Sequence, residues 1–370
     1  MTKPAVTKPA VTKPAVTKPA VTKPKAAATK ALVCEDSPTY AAALRRVLEH
    51  DHDITVAATC DTAEDAIAAL PRIAPDLVTM DLELPGMDGL RAVEEIMSAH
   101  PLPILMLLST GGDRRDQAAA ALAAGALDAI AKADLDLSDP AGAAGAALRQ
   151  RVRLLSRARV LRHPRARLRS DPSGEVTARP AAVIGVCAST GGPHVLAGLL
   201  QALPAGYPIP LLVVQHLTSG FSAELARWLG RTVRLPVRVV TDGEWLAPGA
   251  WIAPDGAQLT VRADGRLRLD RGEPEGPYRP SADVLFASIA AAAGRSGVAV
   301  VLTGMGADGA VGAAAVRQRG GLVIAQDEAS SAIYGMPKAA AEAGAHAVLP
   351  PDQIADRLRR LRPSPLGEPR

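Results

Sequence analysis

Val183-Ile-Gly-Val-Cys-Ala-Ser189-Thr-Gly-Gly-Pro193 is the stretch on which the reading of this chain turns. Its first six residues are a short, uncharged, mostly apolar run, which reads as a fully buried strand. Ser-Thr-Gly-Gly permits a tight turn, and Pro193 suits the first turn of a helix over Val195–Ala202. A strand passing through a glycine turn into a helix is the building unit of a parallel α/β sheet, since parallel neighbours need a crossover. Two more runs end in the same manner, Val213-Val-Gln-His216 and Val300-Val-Leu-Thr-Gly-Met-Gly-Ala-Asp308-Gly309. In an open parallel sheet the carboxyl ends of strands share one edge, and ligand crevices form there. Ser189, His216 and Asp308 can therefore meet. Serine would attack, histidine would take its proton, and aspartate would orient the imidazole and stabilise its charged form. Cys187 excludes a Gly-x-Ser-x-Gly elbow, and the chain order Ser, His, Asp differs from that of α/β-hydrolases. Taken alone, Ser-Thr-Gly-Gly before a helix also suits a phosphate, and both readings stand at this point.

Towards the N-terminus the same rhythm repeats. Ala31–Cys34, Ile54–Ala58, Asp76–Met80, Ile104–Leu108 and Leu127–Ile130 read as strands, and helical patterns begin after Ser37, Asp61, Met87 and Gly112. A fifth helix is expected around 141–157. Such β/α units imply a right-handed doubly wound sheet. Glu35 and Asp36 follow its first strand, Asp81 its third and Lys132 its fifth, so all four belong to one edge. Three close carboxylates repel one another unless a cation lies between them. Mg²⁺ suits such a set of hard oxygens. Asp81 could then attack a phosphoryl donor, with the metal and Lys132 neutralising the transferred charge.

The chain has 370 residues, enough for two cores. It carries a net charge of +4, but residues 1–30 hold seven lysines and no acid; subtracting them leaves −3 on the rest. The basic balance thus belongs to a tail, and a nucleic-acid-binding body does not follow from it. Residues 2–24 repeat Thr-Lys-Pro-Ala-Val. Proline at every fifth position forbids a regular helix, so residues 1–30 are expected to form a disordered tail. Residues 158–180, rich in Arg, Pro, Ser and Gly, read as a linker. This divides the chain into a first domain over 31–157 and a second over 181–362. Within the second, Leu259-Thr-Val-Arg-Ala-Asp-Gly-Arg-Leu-Arg-Leu269 predicts an antiparallel hairpin. Cys34, Cys60 and Cys187 have no metal-ligand spacing and read as reduced packing residues. With no secretory signal and no membrane-spanning run, a cytoplasmic protein is expected, without membrane insertion.

Val33-Cys-Glu-Asp-Ser37, Asp76-Leu-Val-Thr-Met-Asp81-Leu-Glu-Leu-Pro-Gly-Met-Asp-Gly-Leu90, Gly125-Ala126 and Lys132 resemble the receiver domain of bacterial response regulators. Ala188-Ser-Thr-Gly-Gly-Pro193, Val214-Gln-His216, Arg279–Phe286, Leu302–Gly309 and Ala325–Lys338 resemble the catalytic domain of the chemotaxis protein-glutamate methylesterases. Receiver, linker and esterase in that order is that family's layout.

The resemblance implies a phosphorylation-regulated serine esterase. It would hydrolyse glutamate methyl esters on chemoreceptor cytoplasmic helices and deamidate receptor glutamines. Ser189 would be the nucleophile, His216 the base and then acid, and Asp308 the orienting carboxylate. Thr190 and Met305 would line the site, with backbone N–H groups near Met305 and Ser189 facing the oxyanion. It further implies phosphorylation of Asp81 by a histidine kinase, Mg²⁺ held by Glu35, Asp36 and Asp81, a phosphoryl contact from Lys132, and no cofactor in the esterase domain. Leu108 departs from the receiver pattern where a switch hydroxyl is usual, and Ala133 departs where proline is usual. Two rival readings are a non-catalytic scaffold on this fold and an esterase serving another sensory array.

Overall fold

The computed structural model describes residues 28–109, 119–122, 124–158, 160, 179–216, 221–272, 276 and 278–366. The repeat tail up to residue 27, most of the linker and the start of the helix expected after Gly112 lie outside the described residues.

The first domain is a five-stranded parallel sheet of β1 (Thr29–Cys34), β2 (Ile54–Cys60), β3 (Leu77–Asp81), β4 (Ile104–Leu108) and β5 (Asp128–Ala131). Its order is β2-β1-β3-β4-β5. Strand β1 starts before the expected Ala31. The Thr29 N–H donates to the Asp53 carbonyl, and the Lys30 N–H donates to Asp76 Oδ2. Backbone pairing thus overrides the tail-like composition of that segment. Side-chain oxygens of Ser37, Thr62 and Asp88 cap the helices Pro38–Glu49, Ala63–Ile73 and Gly89–Ala99, satisfying N–H groups left free by helix geometry. Alternation along β1 sends Leu32 and Cys34 to one buried face and Ala31 and Val33 to the other. Both faces are covered, as expected for an all-parallel sheet.

The second domain is built on seven parallel strands. They are drawn from β6 to β16, which in chain order are Pro180–Ala181, Val183–Ala188, Leu211–Gln215, Val237–Val239, Ala250–Ile252, Gln258–Val261, Leu267–Asp270, Gly297–Val301, Leu322–Gln326, Ala347–Leu349 and Arg362–Pro363. The large sheet runs β15-β14-β13-β7-β8-β10-β9. The predicted hairpin is present as β11 and β12, paired antiparallel in a sheet of their own. Strands β6 and β16 form a two-stranded parallel clasp. Ile184, Val186 and Ala188 enter one core, while Val183 and Cys187 enter the other.

Gly185 lies on the second face, beneath the helix Ala282–Ala293. A Cβ there would stand 2.6 Å from Ile289 Cδ1 and 2.7 Å from the Phe286 ring. Gly185→Ala is therefore expected to cost about 1–3 kcal/mol through overpacking, read as a lowered urea midpoint.

Chain direction fixes where the chemistry falls. From β7 the chain moves to β8 on one side; β13, β14 and β15 later fill the other. The crevice between β7 and β13 is therefore the topological switch point, where open α/β sheets bind ligands.

Candidate active site and acidic pocket

Strand register brings Ser189, His216 and Asp308 to that crevice. Val301 pairs with Cys187, and Ala188 pairs with Gln215, so β13, β7 and β8 end side by side. The His216 N–H donates to the Ala188 carbonyl at 3.0 Å, placing His216 beside the Ser189 turn. His216 Nε2 lies 2.8 Å from Asp308 Oδ2. An ionised carboxylate can only accept, so Nε2 carries the hydrogen of this bond.

Asp308 is buried and nearly saturated with donors. Beyond His216, its carboxylate accepts from Ala282 N–H (2.7 Å), Asp283 N–H (3.1 Å) and Ser281 Oγ (2.8 Å). These groups form the N-terminus of the helix Ala282–Ala293, whose partial positive charge favours an anion. Burial alone would raise the Asp308 carboxyl, but the hydrogen bonds from His216, Ala282, Asp283 and Ser281 outweigh it and hold the group below its ordinary range. Asp283 returns the favour by accepting from Gly312 N–H at 2.7 Å, at the start of the helix Ala310–Gln318. Each helix is thus capped by a carboxylate bound to the other's entry. Burial raises the Asp283 carboxyl, and the neighbouring Asp308 charge adds to that.

Around Ser189 the main chain is tightly held. The Ser189 N–H donates to the Thr303 carbonyl at 3.0 Å. That amide is thereby committed to the backbone. Thr303 Oγ1 donates to the Thr190 carbonyl and accepts from Ile333 N–H. Gln215 Nε2 grips the Ser189 carbonyl at 2.8 Å. Gly191 has φ +72°, and a Cβ there would lie 2.7 Å from Ala332 Cβ. Only glycine completes this turn without strain.

Three residues outside the predicted triad complete the surroundings. Tyr278 stacks on the His216 ring, with centroids 4.6 Å apart and planes within 8°. Ser281 joins Asp308, and Gln258 bonds the backbone at Tyr278 and Ser281.

In the first domain, ligand atoms of Glu35, Asp36 and Asp81 all lie within 4.8 Å of one another. Lys132 Nζ is 2.7 Å from both Asp81 Oδ2 and Glu35 Oε2, and it sits 4.5 Å above the Tyr40 ring. Burial raises both the Asp81 and Glu35 carboxyls, and Lys132 opposes this without cancelling it. Three carboxylates share this pocket with a single ammonium, and their hard oxygens fit a divalent cation. Leu108 is buried at the end of β4, opposite Ala131, so the strand presents no hydroxyl there. Because the charged Asp81 is disfavoured by folding, Asp81→Asn is expected to raise the urea midpoint of metal-free protein at neutral pH.

The domains meet at the Ser189–Gly192 turn. The Gly191 N–H donates across the boundary to the Leu127 carbonyl at 3.0 Å. Phe221 packs into the core of the first domain, and Ala332 packs against its other cluster. A cavity of about 80 Å³ remains between them, lined by Met97, Gly125, Leu127, Gly191, His194 and Ala332.

Residues 184–358 match the CheB methylesterase family, and residues 31–137 match the response regulator receiver domain. A protein-glutamate methylesterase/protein-glutamine glutaminase of Anaeromyxobacter dehalogenans is 42% identical over 340 residues, covering 89% of this chain and 98% of that protein. A relative of the same name from Myxococcus xanthus is 40% identical over 338 residues, covering 89% and 96%. The solved catalytic domain of Thermotoga maritima CheB methylesterase is 37% identical, covers 50% of this chain and 98% of its own, and gives a TM-score of 0.47. On the identity and coverage of its curated relatives, the chain belongs to the protein-glutamate methylesterase/protein-glutamine glutaminase family.

Proposed function

We propose that this protein is a phosphorylation-regulated serine esterase that hydrolyses glutamate methyl esters on chemoreceptor cytoplasmic helices to glutamate and methanol. It deamidates receptor glutamines through the same attack. The observation that carries the chemistry is the His216 Nε2–Asp308 Oδ2 bond beside the Ser189 turn. His216 Nδ1 takes the Ser189 proton as Oγ attacks the ester carbonyl. Negative charge develops on the carbonyl oxygen, where the N–H groups of Thr190 and Met305 stabilise it. The imidazolium then gives its proton to the leaving methoxide, and methanol departs. Water, activated by the same imidazole, hydrolyses the acyl-enzyme. With an amide substrate, ammonia leaves instead. The relatives' double name supports both reactions.

The catalytic domain spans 181–362, joined by the 158–180 linker to a receiver over 31–157. In the receiver Asp81 accepts a phosphoryl group from a histidine kinase. Glu35, Asp36 and Asp81 would hold Mg²⁺, which neutralises charge during transfer when bound. Lys132 contacts the phosphoryl oxygens. The Gly191–Leu127 bond supports coupling, because the receiver occupies an amide of the nucleophile turn. Phosphorylation shifts the equilibrium away from this docked state. Three free cysteines fit a reducing compartment, so we place the protein in the cytoplasm. Among the described residues no helix is long and apolar enough to cross a membrane.

Methanol release from a methylated chemoreceptor fragment tests the reading, and its absence would reject it. A small phosphodonor such as acetyl phosphate is expected to accelerate release by wild type and to leave Asp81→Asn unchanged.

A further inference from the structure

Tyr278 and Gln258 stand outside the attack, yet the stacking of one and the side-chain hydrogen bonds of the other converge on it. Tyr278 covers one face of the His216 imidazole in near-parallel stacking, with ring centroids 4.6 Å apart. Its hydroxyl oxygen lies 2.9 Å from the point that a Cβ on Gly306 would occupy, within the turn that carries Met305. The phenol therefore spans from the base to the proposed oxyanion donor. Gln258 is almost wholly buried. Its Nε2 donates to the Tyr278 carbonyl at 2.9 Å, and its Oε1 accepts from Ser281 N–H at 2.7 Å. Ser281 Oγ in turn donates to Asp308 Oδ1 at 2.8 Å. One amide side chain thus holds both the residue that covers the imidazole and a residue that fixes the carboxylate.

We infer that Tyr278 is a positioning residue that keeps the His216 ring aligned between Asp308 and Ser189, and that Gln258 clamps the loop that presents it. This rests on the esterase reading. Two physical effects underlie it. A flat ring against a flat ring resists rotation of the imidazole about its own bond, which keeps Nε2 on Asp308 Oδ2. The electron-rich phenol face also favours the imidazolium that forms as the proton moves, a stabilisation realised during reaction more than on binding. Both effects belong to the aromatic ring, and neither needs the hydroxyl.

The test compares Tyr278→Phe, Tyr278→Leu and Gln258→Leu in the full-length protein. Methanol release from a methylated receptor fragment gives kcat and KM, and proton NMR follows the low-field Nε2–H resonance of His216. Tyr278→Phe is expected to stay within about twofold of wild type, since it retains the ring. Tyr278→Leu is expected to lose about tenfold in kcat at nearly unchanged KM, with the low-field resonance broadened by exchange. Gln258→Leu is expected to lose severalfold in kcat, and the double variant less than the product of the two, because both act through one loop.

Retention of kcat by Tyr278→Leu would overturn the inference. So would equal losses in the Phe and Leu variants, or an unaltered resonance in a slowed Tyr278→Leu. Unchanged kcat in Gln258→Leu would overturn the clamp even if a destabilised Tyr278→Leu could not be measured. Ser189→Ala serves as a separate control. If it matched wild type, the esterase reading itself would fail, an outcome distinct from any above.

Discussion

Ser189→Ala is expected to lower methyl-ester hydrolysis by three orders of magnitude or more while leaving the fold intact. Without the hydroxyl no acyl-enzyme can form, and only binding and oxyanion stabilisation remain. The bonds that anchor this residue use its own main chain: its N–H donates to Thr303, and its carbonyl accepts from Gly192 N–H and Gln215 Nε2. Alanine keeps these, so the unfolding free energy from urea titration should stay within about 0.5 kcal/mol of wild type. The decisive measurement is methanol release alongside labelling by a fluorophosphonate, which modifies only an activated serine. Hydrolysis within tenfold of wild type would remove Ser189 from the mechanism.

Asp308→Asn is expected to damage activity and stability together. The carboxylate accepts from His216, Ala282, Asp283 and Ser281. An asparagine has one accepting oxygen and two donor hydrogens, so it meets N–H groups with N–H groups on one side. The imidazole loses the partner that selects its Nε2–H tautomer, and a fall in kcat of about 10³–10⁴ is expected. Leaving buried donors at the helix entry unpaired should cost roughly 2–3 kcal/mol.

The pH dependence gives a second readout. Asp308 is held below its ordinary range when folded. Its contribution to stability is therefore full above the unfolded value of about 4 and is lost as pH falls through the lower folded value. Wild type should lose this increment between neutral and acid pH, whereas the variant lacks it throughout. Denaturation midpoints that fall in parallel for both proteins on acidification would contradict this account.

Much of this architecture could be read from the chain because the relevant residues end apolar runs. A buried parallel strand rarely carries a charged or strongly polar side chain in its middle, so Ser189, His216 and Asp81 mark strand ends, and Asp308 falls in the loop after one. The hairpin was equally legible, since an Ala-Asp-Gly turn joins two alternating runs. What the pattern concealed depends on how loops fold back. Tyr278 lies in an irregular segment without periodicity, and nothing local marks it as an imidazole's neighbour. Gln258 sits in a short strand, and its amide reaches across to residues 278 and 281. The engagement of the Ser189 N–H by Thr303 required the register of β7 against β13, which composition does not encode. Thr29 and Lys30 read as tail because one is small and the other charged. Their amides nevertheless find acceptors at Asp53 and Asp76.

The bond between Gly191 and Leu127 joins two main-chain groups. Any amino acid at position 127 offers the same carbonyl, so substitution there need not abolish the contact. Variation among relatives at this boundary would then reveal little about which enzymes keep their receivers docked. The information resides in the path of the backbone, and an attempt to transplant control onto a different esterase would succeed or fail on loop length before any choice of side chain.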